Sequence, residues 1–372
     1  MKTSLITTIF FLSFYSLSVS AQDFFFCESG SDRNDGKTEQ SPFKSVEKLF
    51  ATFKWMNGGD RVLLCRGGKF EYSGAKKLFN YRCSAEKPCS ISDYGDKNSP
   101  APEIRYKGTH SVLWFSDAPK NRADGGYNIS NIKLISDQKT GYAIFIADEV
   151  NDFHVDNVHV EGFTNRMHDR VSLTNSTIIN NSAQGFLGAC NDCLIENNLF
   201  QNNGYARAIY NHNIYVGSAS TARYKNMTIR NNKLYQSAIV DGQCMGTSLT
   251  AHGNIDNLII EDNEIREDKH AVHGHCYGIN VAPGYGEKYD ESFKNVVIQS
   301  DNVEIKNNRI FMVNSSGAAL RLGGLNVFQV TENIIWIPDA DVIENCFKLT
   351  ETNANTDMSS NECLSIDGDI EW

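Results

Sequence analysis

The sequence predicts an all-β chain wound as a single-stranded parallel β-helix with three short strands per rung. The first observation is a repeated phrase, in which a short apolar strand runs into asparagine and out into a second short strand. Its asparagines recur 18 to 45 residues apart, and a fixed core with variable spacing is typical of solenoids with loops at one corner. The phrase is centred on Asn157, Asn175, Asn198, Asn232, Asn263, Asn308 and Asn333.

The second observation is that asparagine suits the corner between these two strands. Asparagine tolerates the left-handed backbone of a sharp turn. Its side-chain amide can also bond to the asparagine one rung above and one rung below. We therefore expect a ladder of asparagines parallel to the solenoid axis.

The third observation is a third strand that closes each rung. Its outer positions are apolar and its middle position faces outward, because strand side chains alternate with a period of two. Stacking then places the middle positions in one outward column, which is Phe145, Leu187, Tyr215, Thr250, Asn280, Arg321 and Lys348. The next outward positions form a second column, which is Ala147, Gly217, His252, Ala282 and Gly323.

Both ends of the solenoid are predicted to be covered, because exposed strand edges recruit other chains. Residues 42–54 fit an amphipathic helix that caps the N-terminal end. Residues 338–372 contain nine acidic residues and one lysine, and we expect them to form a solvated C-terminal cap. The apolar face of the predicted helix is Val46, Leu49, Phe50 and Phe53.

The N-terminus indicates export. Residues 1–21 have the pattern of a secretory signal peptide, with one lysine, an apolar run and small residues before Gln22. Residues 22–372 are then one secreted β-helix domain, extracellular or periplasmic. No second long apolar run follows, so we expect no membrane partner.

All ten cysteines follow the signal peptide, and an even count in an exported chain predicts disulfides. Cys83 and Cys89 enclose a short loop. Cys190 and Cys193 have the spacing of a redox motif or half a zinc site, but without a second such pair a structural role is favoured. We expect the pairs Cys244–Cys276 and Cys346–Cys363, since each is about one repeat or one loop apart.

The repeat resembles the right-handed parallel β-helix of the pectate-lyase-like superfamily. Three N-terminal stretches, at residues 30–49, 58–70 and 88–104, look like the entry segments of exported polysaccharide enzymes with this fold. The resemblance covers nearly all of the mature chain and implies right-handed winding. It does not imply one reaction, because the superfamily includes lyases, hydrolases, epimerases and non-catalytic adhesins.

One stretch of this acidic chain contains no carboxylate. The formal net charge is −10, yet residues 197–240 have neither Asp nor Glu. Arg207, Arg223 and Lys225 lie in this stretch, and we expect them to form basic walls beside the outward column. Such a groove suits an extended anionic chain, and a uronic-acid polysaccharide is the natural one outside a cell. The alternative is that these residues are ordinary solvated charges.

The outward columns contain groups that are adequate for β-elimination. This reaction needs a group that neutralises the substrate carboxylate, a base for the α-proton and an acid for the leaving oxygen. Arg321 or Asn280 could hold the carboxylate, His252 or His212 could be the base, and Tyr215 could be base or acid. Substrate binding is predicted for Arg207, Arg223, Lys225, Asn280 and Lys348.

No metal ligand is assigned from the sequence, and calcium stays open. The resemblance includes calcium-dependent members that carry a cluster of carboxylates beside the groove. The nearest candidates, Asp241, Asp262 and Asp268, are scattered. His270, His273 and His275 could hold a metal, but a polar loop is favoured because no fourth zinc ligand is evident.

The sequence therefore predicts a secreted, monomeric polysaccharide lyase that cleaves a pectate- or alginate-like polymer by β-elimination. One alternative is a glycoside hydrolase on the same scaffold, although the columns lack the carboxylate pair of an inverting enzyme. The other alternative is a non-catalytic glycan-binding surface protein. A nucleic-acid partner is not expected from an acidic, exported chain.

Overall fold

The computed structural model describes residues 21–116, 124–137, 139–146, 150–163, 167–168, 171–217, 223–267, 271–272, 275–285, 297–312, 318–323, 328–338, 340–341, 343–350 and 356–366. These residues form a right-handed parallel β-helix, so the predicted fold class is confirmed. Successive rungs pair in parallel and build three long sheets, which we number in the order in which the chain visits them.

Sheet 1 has 12 strands, namely Asp23–Phe26, Arg61–Cys65, Cys89–Tyr94, Gly125–Ser130, Asn151–Asp156, Val171–Thr174, Leu194–Glu196, Tyr224–Arg230, Ile255–Glu261, Asp301–Lys306, Phe328–Thr331 and Thr356–Asp357. Sheet 2 has 11 strands, namely Lys69–Tyr72, Glu103–Tyr106, Lys133–Ile135, His159–Glu161, Thr177–Ile179, Leu199–Gln201, Lys233–Tyr235, Glu264–Glu267, Arg309–Met312, Ile334–Ile337 and Glu362–Ser365.

Sheet 3 has 10 strands, namely Lys77–Leu78, Ser111–Phe115, Tyr142–Ile146, Met167–His168, Phe186–Gly188, Ile214–Gly217, Thr247–His252, Tyr277–Ala282, Ala318–Gly323 and Phe347–Thr350. Two small sheets lie in the loops, one of Ile239–Val240, Gln243–Cys244 and Ala271–Val272, the other of Gly284–Tyr285 and Val297–Ile298. The helices among the described residues are Val46–Phe53 and Ile343–Cys346. None of the described helices is long and apolar enough to cross a membrane.

At the corner between sheets 1 and 2, two neighbouring residues share the roles that we expected of one asparagine, namely the left-handed backbone and the ladder of side-chain hydrogen bonds. The first residue adopts the left-handed backbone, with φ of 58° at Asn197 and 55° at Asn307. The second points inward and is at most 2% exposed, as in Asn198, Asn232, Asn263, Asn308 and Asn333. Asn232 Nδ2 donates to Asn263 Oδ1, and Asn263 Nδ2 donates to Asn308 Oδ1, both at 3.0 Å. This inner asparagine ladder holds successive rungs in one register.

The predicted N-terminal helix is present as Val46–Phe53 and begins at Ser45, whose side chain accepts the backbone N–H of Lys48 at 3.1 Å. Its buried face is the predicted one, Val46, Leu49, Phe50 and Phe53. The Phe53 ring packs against those of Phe115 and Tyr127, with centroids 5.8 and 5.3 Å apart. The helix therefore covers the N-terminal end of the core.

The predictions for the signal peptide and the C-terminal cap are only partly covered by the described residues. Residues 1–20 of the predicted signal peptide and parts of the acidic segment 338–372 lie outside the described residues. The boundaries of the signal peptide, the single β-helix domain and the C-terminal cap therefore stay predictions.

All ten cysteines are paired in disulfides, namely Cys27–Cys65, Cys83–Cys89, Cys190–Cys193, Cys244–Cys276 and Cys346–Cys363. The two long-range pairs that we predicted are confirmed, and so is the short Cys83–Cys89 loop. The Cys190–Cys193 pair is buried, which fits the structural role. Five disulfides are typical of an extracellular or periplasmic protein.

The pairing register of sheet 3 reproduces the predicted outward column from Leu187 through Tyr215 and on to Lys348. The predicted column was wrong in one place, because it put Leu187 on the rung directly after Phe145. The strand Met167–His168 lies between them and pairs with both neighbours. Two residues are too few to show alternation, so this rung left no pattern in the sequence.

Candidate active site

The outward face of sheet 3 brings a tyrosine and a histidine together from neighbouring rungs. Tyr215 faces outward because Ile214 and Val216, on either side of it, are fully buried. Gly217 lies in register with His252, and a Cβ at Gly217 would come within 2.7 Å of the His252 carbonyl oxygen. Tyr215 Oη lies 3.0 Å from His252 Nδ1. The phenol and the imidazole therefore share a hydrogen bond on a partly exposed surface.

The same column continues with a second polar pair. Arg321 Nη1 donates to Asn280 Oδ1 at 2.9 Å, which aims the guanidinium back along the column. Thr250 lies between this pair and Tyr215; it is 2% exposed, and its Oγ1 has no hydrogen-bond partner among the described residues. Lys348 is exposed on the rung after Arg321. The predicted column thus places the hydrogen-bonded phenol and imidazole on one face with the Arg321–Asn280 pair and the Lys348 ammonium.

His212 lies beneath Tyr215 and away from the open face. It is 5% exposed, and its ring stacks on the Tyr215 ring with centroids 5.6 Å apart and an interplanar angle of 24°. The backbone N–H of Thr247 donates to His212 Nδ1 at 3.2 Å. Burial lowers the pKa of His212 to about 3, so the ring is neutral near pH 7. This position differs from the surface position in which we predicted a base.

The predicted basic residues are dispersed over two corners of the solenoid. Arg207 is exposed in the loop before the sheet 3 strand, with its guanidinium 3.9 Å from the centroid of the Tyr210 ring. Arg223 and Lys225 lie at the start of the sheet 1 strand Tyr224–Arg230, beyond the next corner. Only Arg207 is therefore on the side from which the chain enters sheet 3.

The stretch without carboxylates in the sequence is not without carboxylates in space. Arg223 forms ion pairs with Asp256 and Asp301, which sheet 1 supplies from the next two rungs. The hydrogen bonds that Arg223 donates to Asp256 raise the pKa of Arg223 and lower the pKa of Asp256. Lys225 is in register with the same Asp256. These cations are thus largely balanced by their neighbours in the sheet.

Metal sites find little support in the described part of the chain. Two clusters there place a glutamate beside two cysteines, namely Cys27, Glu28 and Cys65, and Cys244, Glu267 and Cys276. In both clusters the cysteines form a disulfide and are not thiolate ligands. Asp241 and Asp262 lie at different corners, whereas Asp268, His270 and His273 lie outside the described residues. The calcium prediction therefore stays open.

A second concave feature was not anticipated from the sequence. A cleft of about 590 Å³ lies at the corner where the chain leaves sheet 2 for sheet 3, and it includes Asp137, Glu161 and Tyr205. Its members come from five different rungs, so no local motif marks them. What the sequence does show is an asparagine directly after two of the sheet 2 strands, Asn180 and Asn202. Both adopt the left-handed backbone in the structure.

No protein-family model matches the chain. Among curated proteins, a lacto-N-biosidase from Bifidobacterium longum subsp. longum is 33% identical over 94 residues, which is 25% of this chain and 6% of that protein. The chain thus matches only a small fraction of that relative's length.

Among solved structures, an alginate lyase from Paenibacillus sp. strain FPU-7 has a TM-score of 0.47 and 15% identity, over 86% of this chain and 96% of that chain. A rhamnogalacturonan lyase has a TM-score of 0.44 and 14% identity, over 84% and 74%. A lacto-N-biosidase from Eubacterium ramulus has a TM-score of 0.40 and 13% identity, over 93% and 68%. The parallel β-helix that the predicted resemblance implies is present in the strand pairing of the chain itself.

Proposed function

We propose that the protein is a polysaccharide lyase that cleaves a uronic-acid polymer by β-elimination on the outward face of sheet 3. The observation that carries this proposal is the hydrogen bond between Tyr215 Oη and His252 Nδ1. A phenol that can pass its proton to an adjacent imidazole becomes a base near neutral pH and can return the proton afterwards. The names of the fold neighbours, which include two polysaccharide lyases, agree with this class of substrate.

The proton balance of the reaction can be written with these two side chains. His252 takes the Tyr215 proton, and the phenolate oxygen takes the C5 proton of the uronate. The electron pair of the broken C–H bond forms the C4–C5 double bond as the C4–O bond breaks. Tyr215 then gives the proton to the leaving oxygen and recovers its own from His252, so one proton has moved from C5 to the leaving group.

Arg321 and Asn280 are assigned to the substrate carboxylate. Abstraction of the C5 proton places negative charge on this carboxylate, and a guanidinium with a fixed direction stabilises it. Arg321 lies two rungs beyond His252, about 10 Å along the axis at ~4.8 Å per rung, and its side chain points back toward the pair through Asn280.

His212 is assigned a positioning role. Its neutral ring supports one face of the Tyr215 ring and keeps the phenol directed at His252. This differs from the base role predicted from sequence. The buried imidazole does not reach the substrate, and with a pKa of about 3 it is too weak a base to keep an abstracted proton near pH 7.

The test is product analysis on polygalacturonate and on alginate. β-Elimination produces an unsaturated uronate that absorbs in the ultraviolet together with a new reducing end, whereas hydrolysis produces the reducing end alone. We expect absorbance and reducing ends to rise in equal amounts, with and without a calcium chelator as the test for the metal. The lyase proposal fails if the folded protein gives reducing ends without absorbance, or neither product on any uronate polymer.

Site assignment uses a matched pair of tyrosines. Tyr215→Phe keeps the ring and its stacking but removes the proton, and we expect the rate to fall by roughly 10²–10⁴, the usual contribution of a general acid–base group. Tyr210→Phe removes a hydroxyl from an exposed ring over Arg207, and we expect it to leave the rate within twofold. Equal rates for wild type and Tyr215→Phe would remove Tyr215 from the mechanism.

Hydrolysis is the second candidate, and the 94-residue match to a lacto-N-biosidase is the observation in its favour. An inverting or retaining hydrolase needs two carboxyl groups at the scissile bond. The described residues of the two outward columns contain none, which is why β-elimination ranks first.

A further inference from the structure

We infer that the cleft between sheets 2 and 3 is a second carbohydrate-binding site, separate from the sheet 3 column, and that it takes an uncharged glycan chain. The cleft has a volume of about 590 Å³, within the ~300–1,000 Å³ range of ligand sites in proteins. The site is independent of the proposed lyase activity, which uses the outward face of sheet 3.

The shape of the cleft suits an extended ligand. Its lining residues follow five successive strands of sheet 2, from Lys133–Ile135 to Lys233–Tyr235. Four rung steps of ~4.8 Å give an axial length of about 19 Å. A cleft that runs along the axis over this distance accommodates several linked sugars in a row more readily than one compact metabolite.

The polar groups of the cleft are held in place by their neighbours. Glu161 Oε1 accepts Asn180 Nδ2 at 3.1 Å, and Glu161 Oε2 lies 2.9 Å from His159 Nε2. Asn202 Nδ2 donates to Asn180 Oδ1 at 2.9 Å. Both asparagines have the left-handed backbone, with φ of 56° and 54°. The ligand would therefore meet groups whose directions are already set, which lowers the entropic cost of binding.

One wall of the cleft is formed by Tyr205 and Lys139. Lys139 Nζ lies 5.5 Å from the centroid of the Tyr205 ring. Tyr205 Oη is buried, and it has no hydrogen-bond partner in the described part of the chain. A sugar hydroxyl that hydrogen-bonded to Tyr205 Oη would supply that partner, and the tyrosine ring would supply an apolar surface for the sugar face.

Charge selects the class of glycan. The lining contains two carboxylates, Asp137 and Glu161, and one lysine, but Arg105 pairs with Asp137 at 2.7 Å, so the selection depends on Glu161. Burial alone would raise the pKa of Glu161, but the hydrogen bonds from His159 and Asn180 outweigh it and hold that pKa below its usual value. Glu161 is therefore anionic; it accepts hydrogen bonds from sugar hydroxyls and repels a uronate.

Binding is tested by calorimetry with three hexasaccharides, namely hexagalacturonan, its fully methyl-esterified form and cellohexaose. The first two have the same backbone, and the ester removes each negative charge by adding a methyl group to the carboxylate. Measurements use the Tyr215→Phe protein, in which turnover is suppressed, with and without Arg321→Ala, which removes the uronate contact of the column. We expect at least one of the two neutral probes to bind, and we expect hexagalacturonan to bind the cleft at least tenfold more weakly than its ester.

The location is tested with variants on this background. Glu161→Ala should weaken binding of the neutral probe at least tenfold, and Glu161→Gln should reduce the preference of the cleft for the ester over the acid. The matched control is Glu304→Gln, which removes a carboxylate from sheet 1 beside Lys306 and should leave binding unchanged. Arg321→Ala, in the column, should also leave it unchanged.

The inference is overturned if neither neutral probe binds, or if Glu161→Ala binds as well as its parent. It is also overturned if Arg321→Ala abolishes neutral-probe binding, since the ligand would then lie on the column. Failure of the lyase proposal would appear in the product assay alone, so the two results can be told apart.

Discussion

The buried asparagine ladder predicts a large difference between two asparagines that lie six residues apart. Asn263 is 1% exposed, and its side chain makes four hydrogen bonds. Its Nδ2 donates to the Ile229 carbonyl at 2.9 Å and to Asn308 Oδ1 at 3.0 Å. Its Oδ1 accepts the backbone N–H and the Nδ2 of Asn232, each at 3.0 Å. Replacement by alanine removes all four bonds inside the core.

The magnitude follows from the groups that are left behind. The Ile229 carbonyl and the Asn232 N–H lose this partner in the interior, and each buried polar group left unpaired costs roughly 1–3 kcal/mol. These two groups alone predict that Asn263→Ala lowers the free energy of unfolding by about 2–6 kcal/mol.

The control is Asn257→Gly on the exposed outer row of asparagines. Asn257 donates to Asn226 at 2.8 Å and accepts from Asn302 at 3.1 Å, and its φ of 57° suits glycine. Because water can satisfy the freed groups, we expect a loss of less than ~1 kcal/mol. Urea unfolding followed by circular dichroism measures both variants. The reasoning is refuted if Asn263→Ala costs no more than Asn257→Gly.

Three further predictions concern charge, pH and the disulfides. Arg321→Gln should raise KM on polygalacturonate at least tenfold in initial-rate assays, whereas Arg223→Gln should change it less than twofold, because Arg223 already has carboxylate partners; equal effects would contradict the site. Wild-type stability should fall as pH drops from about 6.5 toward 3, because the unfolded His212 takes up a proton that the folded one excludes; His212→Asn should show a shallower slope, by up to ~1.4 kcal/mol per pH unit, in urea titrations, and parallel curves would count against it. Replacing Cys244 and Cys276 with alanine should cost about 2–4 kcal/mol in thermal unfolding, and an unchanged Tm would show that the bond is dispensable.

The fold and the column were predictable because both depend on local periodicity. Apolar residues at Ile214 and Val216 define the outward direction of Tyr215 without any tertiary information, and the asparagine phrase sets where each rung begins. The strand Met167–His168 was not predicted, because two residues are too few to show a periodic pattern.

Contacts across rungs were not predictable in the same way. Arg223 lies 33 residues from Asp256 and 78 from Asp301. A local stretch of sequence around Arg223 therefore contains the cation without the carboxylates that pair with it in the sheet. The burial of His212 depends on how the chain turns into sheet 3. The polar residues around it in the sequence favoured an exposed position instead. The cleft was not predicted for the same reason, since its lining residues come from positions 135 to 239.

The Cys244–Cys276 disulfide also bears on how the protein survives proteases in its surroundings. The bond encloses residues 245–275, and the His252 strand lies within that loop while the Asn280 strand follows it. A protease that cuts the chain between Glu267 and Cys276 therefore yields two pieces that stay covalently joined, with the strand of His252 still hydrogen-bonded to that of Asn280. Such a nicked molecule would migrate as one band on a non-reducing gel and as two after reduction.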